Sequence, residues 1–180
     1  MRITRRILRI FDLTSYWSGQ LFSWLVLGIV FVLFYEVITR YFFDSPNKWS
    51  YDMGYYIGGS FVALGLCYVT LNKGHVRIDL FYMRFSRKVQ LWVDIIFTLC
   101  FFFPIWGIFT RVSWQKFFFA IKTGEVSDYG YWYPPFWPIR LSVAIGMTLL
   151  MIAGLSWLIK SICELRTGEV EKTGLEEIPQ

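Results

Sequence analysis

The chain has 180 residues, 56% hydrophobic and 17% charged, with a mean hydropathy of +0.45. A soluble domain carries about 25% charged residues, so this chain cannot cover a core with a polar surface, and its outside must face lipid. The net charge of +5 does not point to nucleic acid, because the basic residues stand beside long apolar runs, where they set orientation in a membrane.

Residues 1–16 place Arg2, Arg5, Arg6 and Arg9 against Ile3, Ile7, Ile10 and Phe11 at helical spacing. That pattern predicts an amphipathic helix lying in the interface. The apolar run that follows is too long for the h-region of a signal peptide, and no small-residue cleavage site follows it, so the segment is expected to remain in the mature protein. Leu13–Tyr35 is 23 residues without a charge, enough for a first span over about 17–39. Glu36 and Arg40 close it, four residues apart in the favourable order for a pair on one helix face. A carboxylate in a span is a functional candidate by default. The position of Glu36 near the span's end favours a pair that snorkels to water.

A polar loop, Asp44–Asp52, follows, with Trp49 and Tyr51 as interface anchors. Met53–Asn72 is uncharged over 20 residues and predicts a second span, 53–72. Gly54 and Gly58 form a G-x-x-x-G, and Gly59 and Ala63 repeat the spacing, which suits close helix packing within the bundle or against a partner. The next connection carries Lys73, Arg77, Arg84, Arg87 and Lys88. Gly74–Asp79 reads as a polar turn holding the sole histidine, His75, a structural donor or a proton relay. Leu80–Lys88 reads as a second in-plane helix.

The third span is expected at 89–110, with Asp94 near its basic end beside Lys88 or Arg87, and with a kink at Pro104. Arg111–Lys122 extends that helix beyond the membrane or lies along it. The following stretch mixes Gly, aromatics and Pro134, Pro135 and Pro138, and predicts a stiff, non-helical entry to a fourth span over 141–159. At membrane depth this aromatic stretch reads as an interfacial belt or partner surface rather than a base-stacking platform. The tail, 167–180, is acidic and poor in apolar mass, which predicts flexibility.

The expected fold is therefore an all-α integral membrane protein. Four transmembrane helices form a membrane domain over 17–166, joined by amphipathic in-plane helices. Twelve Lys and Arg fall on the side of both termini and the 71–94 connection, and six on the other. The positive-inside rule then predicts cytoplasmic termini.

Little chemistry is visible. With one histidine, in a loop, two-histidine haem ligation within the chain is excluded. No nucleophile stands with a base, no glycine loop cradles phosphate, and Cys67, Cys100 and Cys163 lack the spacing of a metal site, so they read as packing residues. No catalytic residue, cofactor or metal is expected. No pair of broken helices marks a midplane ion site, and four spans give little room for a substrate path, which argues for a subunit.

Several blocks together carry a resemblance. Glu36-x-x-x-Arg40-Tyr41 ends the first span, and Trp49-x-x-Asp52 follows. Leu64-Gly65 and Tyr68 mark the second span, with Gly74-His75-Val76-Arg77-Ile78-Asp79-Leu80 directly after it. Pro135-Phe136-Trp137-Pro138-Ile139-Arg140 then precedes a last span with Gly146. This arrangement, over about Trp17 to Arg166, resembles the DctQ family, the small membrane subunits of tripartite ATP-independent periplasmic (TRAP) transporters. Asp52 departs from it, since Glu is expected there. The resemblance implies a non-catalytic subunit in the bacterial inner membrane. It implies a large multi-span membrane subunit as partner and a periplasmic binding protein that delivers the substrate. The implied activity is sodium-coupled uptake of an organic acid, with this chain as scaffold. It leaves Glu36, Arg40, Trp49, Asp52, Gly54, Gly58, His75, Arg77, Asp79, Pro135, Trp137, Pro138 and Arg140 as structural or subunit-interface candidates. Arg77 and Asp79 are expected to tie their turn to a neighbouring helix end. Two rivals are a homodimeric four-span, proton-coupled exporter using Glu36, and a membrane anchor for a redox complex. Membrane lipids are partners in every case.

Overall fold

The computed structural model describes residues 17, 19, 20, 22–71, 85–128 and 131–167, with residues 67, 68, 71 and 167 described by backbone alone. The amphipathic helix expected at 1–16, the turn with His75, Arg77 and Asp79, most of the in-plane helix at 80–88 and the tail lie outside the described residues. Within them the chain is helical, with no strand and one isolated antiparallel bridge, between Val126 and Pro135. The helices are α1 (Leu25–Phe42), α2 (Ser50–Leu71), α3 (Arg87–Phe97), α4 (Phe103–Thr123) and α5 (Trp137–Thr167). Helices α3 and α4 join through a π-helical segment, Thr98–Phe102, into one continuous helix, Arg87–Thr123.

Local chemistry accounts for the boundaries. Asp52 in the first turn of α2 sets a negative charge against the positive end of the helix dipole. The Gly124 N–H caps α4 on the Ala120 carbonyl from the left-handed conformation, φ 64, which glycine reaches without steric cost. The same carbonyl accepts the Glu125 N–H at 3.2 Å, in the manner of a Schellman closure. Helix α4 runs without a break through Arg111–Lys122 to Thr123. Pro104 is accommodated by a local widening. It has no N–H and would crowd the carbonyl four residues back. The turn before it has already opened to i→i+5 bonding, with the Phe103 N–H on the Thr98 carbonyl.

The helices stand in a row: α1 packs on α2, α2 on α5, and α5 on α3 and α4. Small residues bring the backbones together. A Cβ built on Gly58 would lie 3.1 Å from Ile29 Cδ1 of α1, and one on Gly54 would lie 3.9 Å from Leu33. Thus the G-x-x-x-G face is used inside the chain, against α1. Gly59 faces Ile139 of α5, and Gly146 meets the backbone of α2 at the Ala63 carbonyl. The buried core is thin and runs along these seams: Ala63, Leu64, Ala144, Leu150 and Ala153 are nearly solvent-free.

Leu25–Phe42, Arg87–Thr123 and Trp137–Arg166 are long and apolar enough to cross a membrane. Helix α2, expected as a span, has 22 residues and is not among those three. Large apolar side chains such as Phe31 (69% exposed) and Phe42 (81%) cover the outside of the row. An apolar outside of this kind is what lipid or a membrane partner covers.

Candidate functional site

Among the described residues, three polar ties join the helices and the loops between them. The first joins α1 to α2. Glu36 lies one turn and a half before the end of α1 and is 9% exposed. Arg40, one turn on, donates to Glu36 Oε1 from Nη2 at 2.6 Å and from Nε at 3.1 Å. The other oxygen, Oε2, accepts the Ser50 hydroxyl at 2.6 Å and the Asn47 N–H at 3.1 Å. Both carboxylate oxygens are thereby occupied. Asn47 Nδ2 in turn donates to Thr39 Oγ1 at 2.6 Å, and Trp49 stacks on Tyr35 with ring centroids 5.7 Å apart. The pair expected from the i, i+4 spacing is present, and the loop adds two donors to it.

The second tie fastens residues 124–128 and 131–136 onto α2 and α5. Asp52 is fully buried, and its Oδ1 accepts the Ser127 hydroxyl at 2.7 Å. The Ser127 N–H donates to the Pro134 carbonyl and the Phe136 N–H to the Glu125 carbonyl, both at 2.8 Å. The Tyr56 hydroxyl, one turn beyond Asp52, donates to the Pro135 carbonyl at 2.8 Å. Arg140 pairs through Nη2 with Glu125 Oε1, donates from Nη1 to the Lys116 carbonyl at 3.1 Å, and lies 5.1 Å over the Phe136 ring. These bonds hold Tyr133 at φ 55, a conformation that costs a non-glycine residue on the order of 1 kcal/mol. Pro138 accepts the Ser142 hydroxyl at 3.1 Å, and Trp137 is 44% exposed. An open groove of about 400 Å³ runs beside this loop, lined by Phe117, Ala120, Ile121, Gly124, Glu125, Pro135 and Trp137.

The third tie is at the opposite end of the row. Arg87 donates to both oxygens of Glu164 on α5, at 2.7 and 2.8 Å, in a bidentate fork. The sequence offers Lys88 or Arg87 as a partner for Asp94; the Arg87 guanidinium donates to Glu164 as well.

The structure thus gathers Glu36, Arg40 and Trp49 at one corner, and Asp52, Pro135 and Arg140 at another. Gly54 and Gly58 lie in the α1–α2 seam. Ser50, Asn47, Tyr56, Glu125, Ser127 and Glu164 complete the ties and were not singled out from the sequence. Asn47-x-x-Ser50 ahead of a helix is a capping signal that could have marked the first two. Nothing in the spacing links Ser127 to Asp52, or Glu164 to Arg87. Chemically, the first and third ties pair charges, and the second holds Asp52 on the Ser127 hydroxyl with Asp52 Oδ2 and Glu125 Oε2 buried and without a hydrogen-bond partner among the described residues, an arrangement that serves positioning.

Fold and ties together define an integral membrane protein of close-packed helices braced by buried polar contacts. The profile of the tripartite ATP-independent periplasmic transporters, DctQ component, matches residues 29–164, and the chain belongs to this family. It is a small membrane subunit of a TRAP transporter. No curated protein matches the sequence.

Proposed function

We propose that this subunit is a non-catalytic scaffold in a bacterial inner membrane. It crosses the bilayer four times, with α2 as the second span and both termini in the cytoplasm. It holds a large multi-span subunit that carries substrate and coupling ions, for sodium-coupled uptake of an organic acid delivered by a periplasmic binding protein. The observation that carries this reading is the single row of helices. Among the described residues the row has two outer faces and no interior, so these helices alone offer no enclosed path for a substrate. Its apolar outside suits coverage by a larger membrane protein on one side and lipid on the other. The basic excess beside the termini supports the orientation.

Glu36 argues against the exporter. A proton site must exchange its proton with a pathway, whereas both oxygens of Glu36 are held by fixed donors. The test is purification from native membranes in mild detergent, followed by reconstitution. The chain should bring down a stoichiometric multi-span polypeptide, and liposomes holding the chain alone should show no transport. Proton-driven efflux by the chain alone, lost in Glu36→Gln, would overturn the scaffold reading.

A further inference from the structure

We propose that Arg111 of α4 faces a carboxylate on a transmembrane helix of a second polypeptide, and so marks the edge of the row where a membrane partner docks. The inference rests on the subunit reading above and names the chemistry of the contact.

Helices α4 and α5 run antiparallel, with the Lys116 carbonyl level with Arg140 and Thr110 level with Met147. The uncharged run of α5, Leu141–Ile159, starts just after Arg140. Arg111 lies five residues to the bilayer side of Lys116, or about 7 Å at 1.5 Å per residue. It therefore sits more than a turn inside the apolar zone. Helix α4 faces α5 with Thr110, Trp114 and the buried Ala120. Arg111, Gln115, Phe118 and Lys122 follow one another at i, i+4, i+7 and i+11 on another face, and all four are exposed. Among the described residues, neither the Arg111 nor the Gln115 side chain has a hydrogen bond, ion pair or ring contact.

An unpaired arginine at this depth is costly against lipid, and such residues face a protein interior or a partner charge. Snorkelling is the rival. Side chains on a helix lean toward its N-terminus, and on α4 that direction is toward the bilayer centre. Arg111 would have to fold back against its own helix to reach headgroups. A carboxylate on an adjacent helix satisfies it in place, with Gln115 one turn away as a second donor. Helix α4 stands at the end of the row, so this face is open to such a neighbour.

The test uses the full chain in its native membrane, with a benzophenone amino acid at position 115 and Arg111 intact. We expect an adduct with an integral membrane polypeptide, on a peptide containing Asp or Glu. In parallel, Arg111→Gln should reduce the partner recovered in mild detergent by about tenfold, and Arg111→Lys should retain most of it. The melting temperature of the isolated chain should be the same in all three, since the Arg111 side chain is exposed and has no polar partner among the described residues. Adducts with phospholipid alone, or undiminished recovery with Arg111→Gln, overturn the inference while a wild-type partner still co-purifies. If the wild-type chain brings down no membrane polypeptide, the subunit reading itself falls.

Discussion

Glu36 shows how a charged residue near the end of a span can be structural. Each of its oxygens has two donors, and the donors come from the helix that carries it, from the loop and from the start of the next helix. The contributions should differ with exposure. Ser50 is 3% exposed, so Ser50→Ala leaves a buried carboxylate oxygen short of a donor, at about 1–3 kcal/mol. The Arg40 side chain is 58% exposed, and solvent screens it, so Arg40→Ala should cost under about 1 kcal/mol. Thermal unfolding of the purified chain in detergent checks the order. An equal loss for both variants would mean that the exposed guanidinium holds the corner as firmly as the buried hydroxyl. Asp52 and Ser127 form the second test of this kind. Removing the hydroxyl strands a fully buried carboxylate, whereas removing both groups strands nothing. The double variant Asp52→Ala with Ser127→Ala should therefore be less damaging than the sum of the singles by about 1 kcal/mol or more, read from a double-mutant cycle. The i, i+4 spacing exposes Glu36 and Arg40 in the sequence because they share one helix. Ser127 is 75 residues from Asp52. Only the folding of the loop brings it there, and no local pattern encodes that distance.

At the scale of elements, long apolar runs are the legible part. Each expected span overlaps a helix among the described residues, and three of those helices are long and apolar enough to cross a membrane. Less legible are the ends and the interruptions. Helix α4 continues to Thr123 past a stretch of Arg, Gln and Lys, since charge does not stop a helix and only Gly124 does. Pro104 announced a break, but its form, a π-helical turn before it, depends on how Phe102 seats against Gly154 of α5. The glycines divide in the same way. Spacing showed that α2 has small faces, and the structure shows two of them, one used by α1 and one by α5. Gly146 makes the sharper prediction. Its Cβ position coincides with the Ala63 backbone, so Gly146→Ala must separate α2 from α5 and should lower the melting temperature markedly, by several degrees for a loss of about 2 kcal/mol. Gly107 has nothing within 4 Å of its Cβ position. Gly107→Ala should be neutral or stabilising by up to about 1 kcal/mol, from helix propensity alone. If the two variants behave alike, the α2–α5 seam is not as close as described.

For the whole molecule the decisive property is the order of the helices. Apolar runs specify how many helices there are and leave their neighbours open, because a lipid-facing side and a packed side are both apolar. A closed bundle would bring α1 against α4 and enclose a centre; the row keeps them apart with α2 and α5 between. Disulfide trapping separates the two. With native cysteines replaced by alanine, the pairs Ile29→Cys with Gly58→Cys, and Gly59→Cys with Ile139→Cys, should each oxidise within one chain, since both pairs are in contact. Ile29→Cys with Ile108→Cys should not. An intramolecular product from that last pair would show that α1 and α4 meet, and a closed bundle has an interior. The chain would then have room for a path of its own and need not be a support. Without such a product, any substrate path must be built from helices that another polypeptide supplies, and the unpaired Arg111 at the row's edge is where the search for that polypeptide begins.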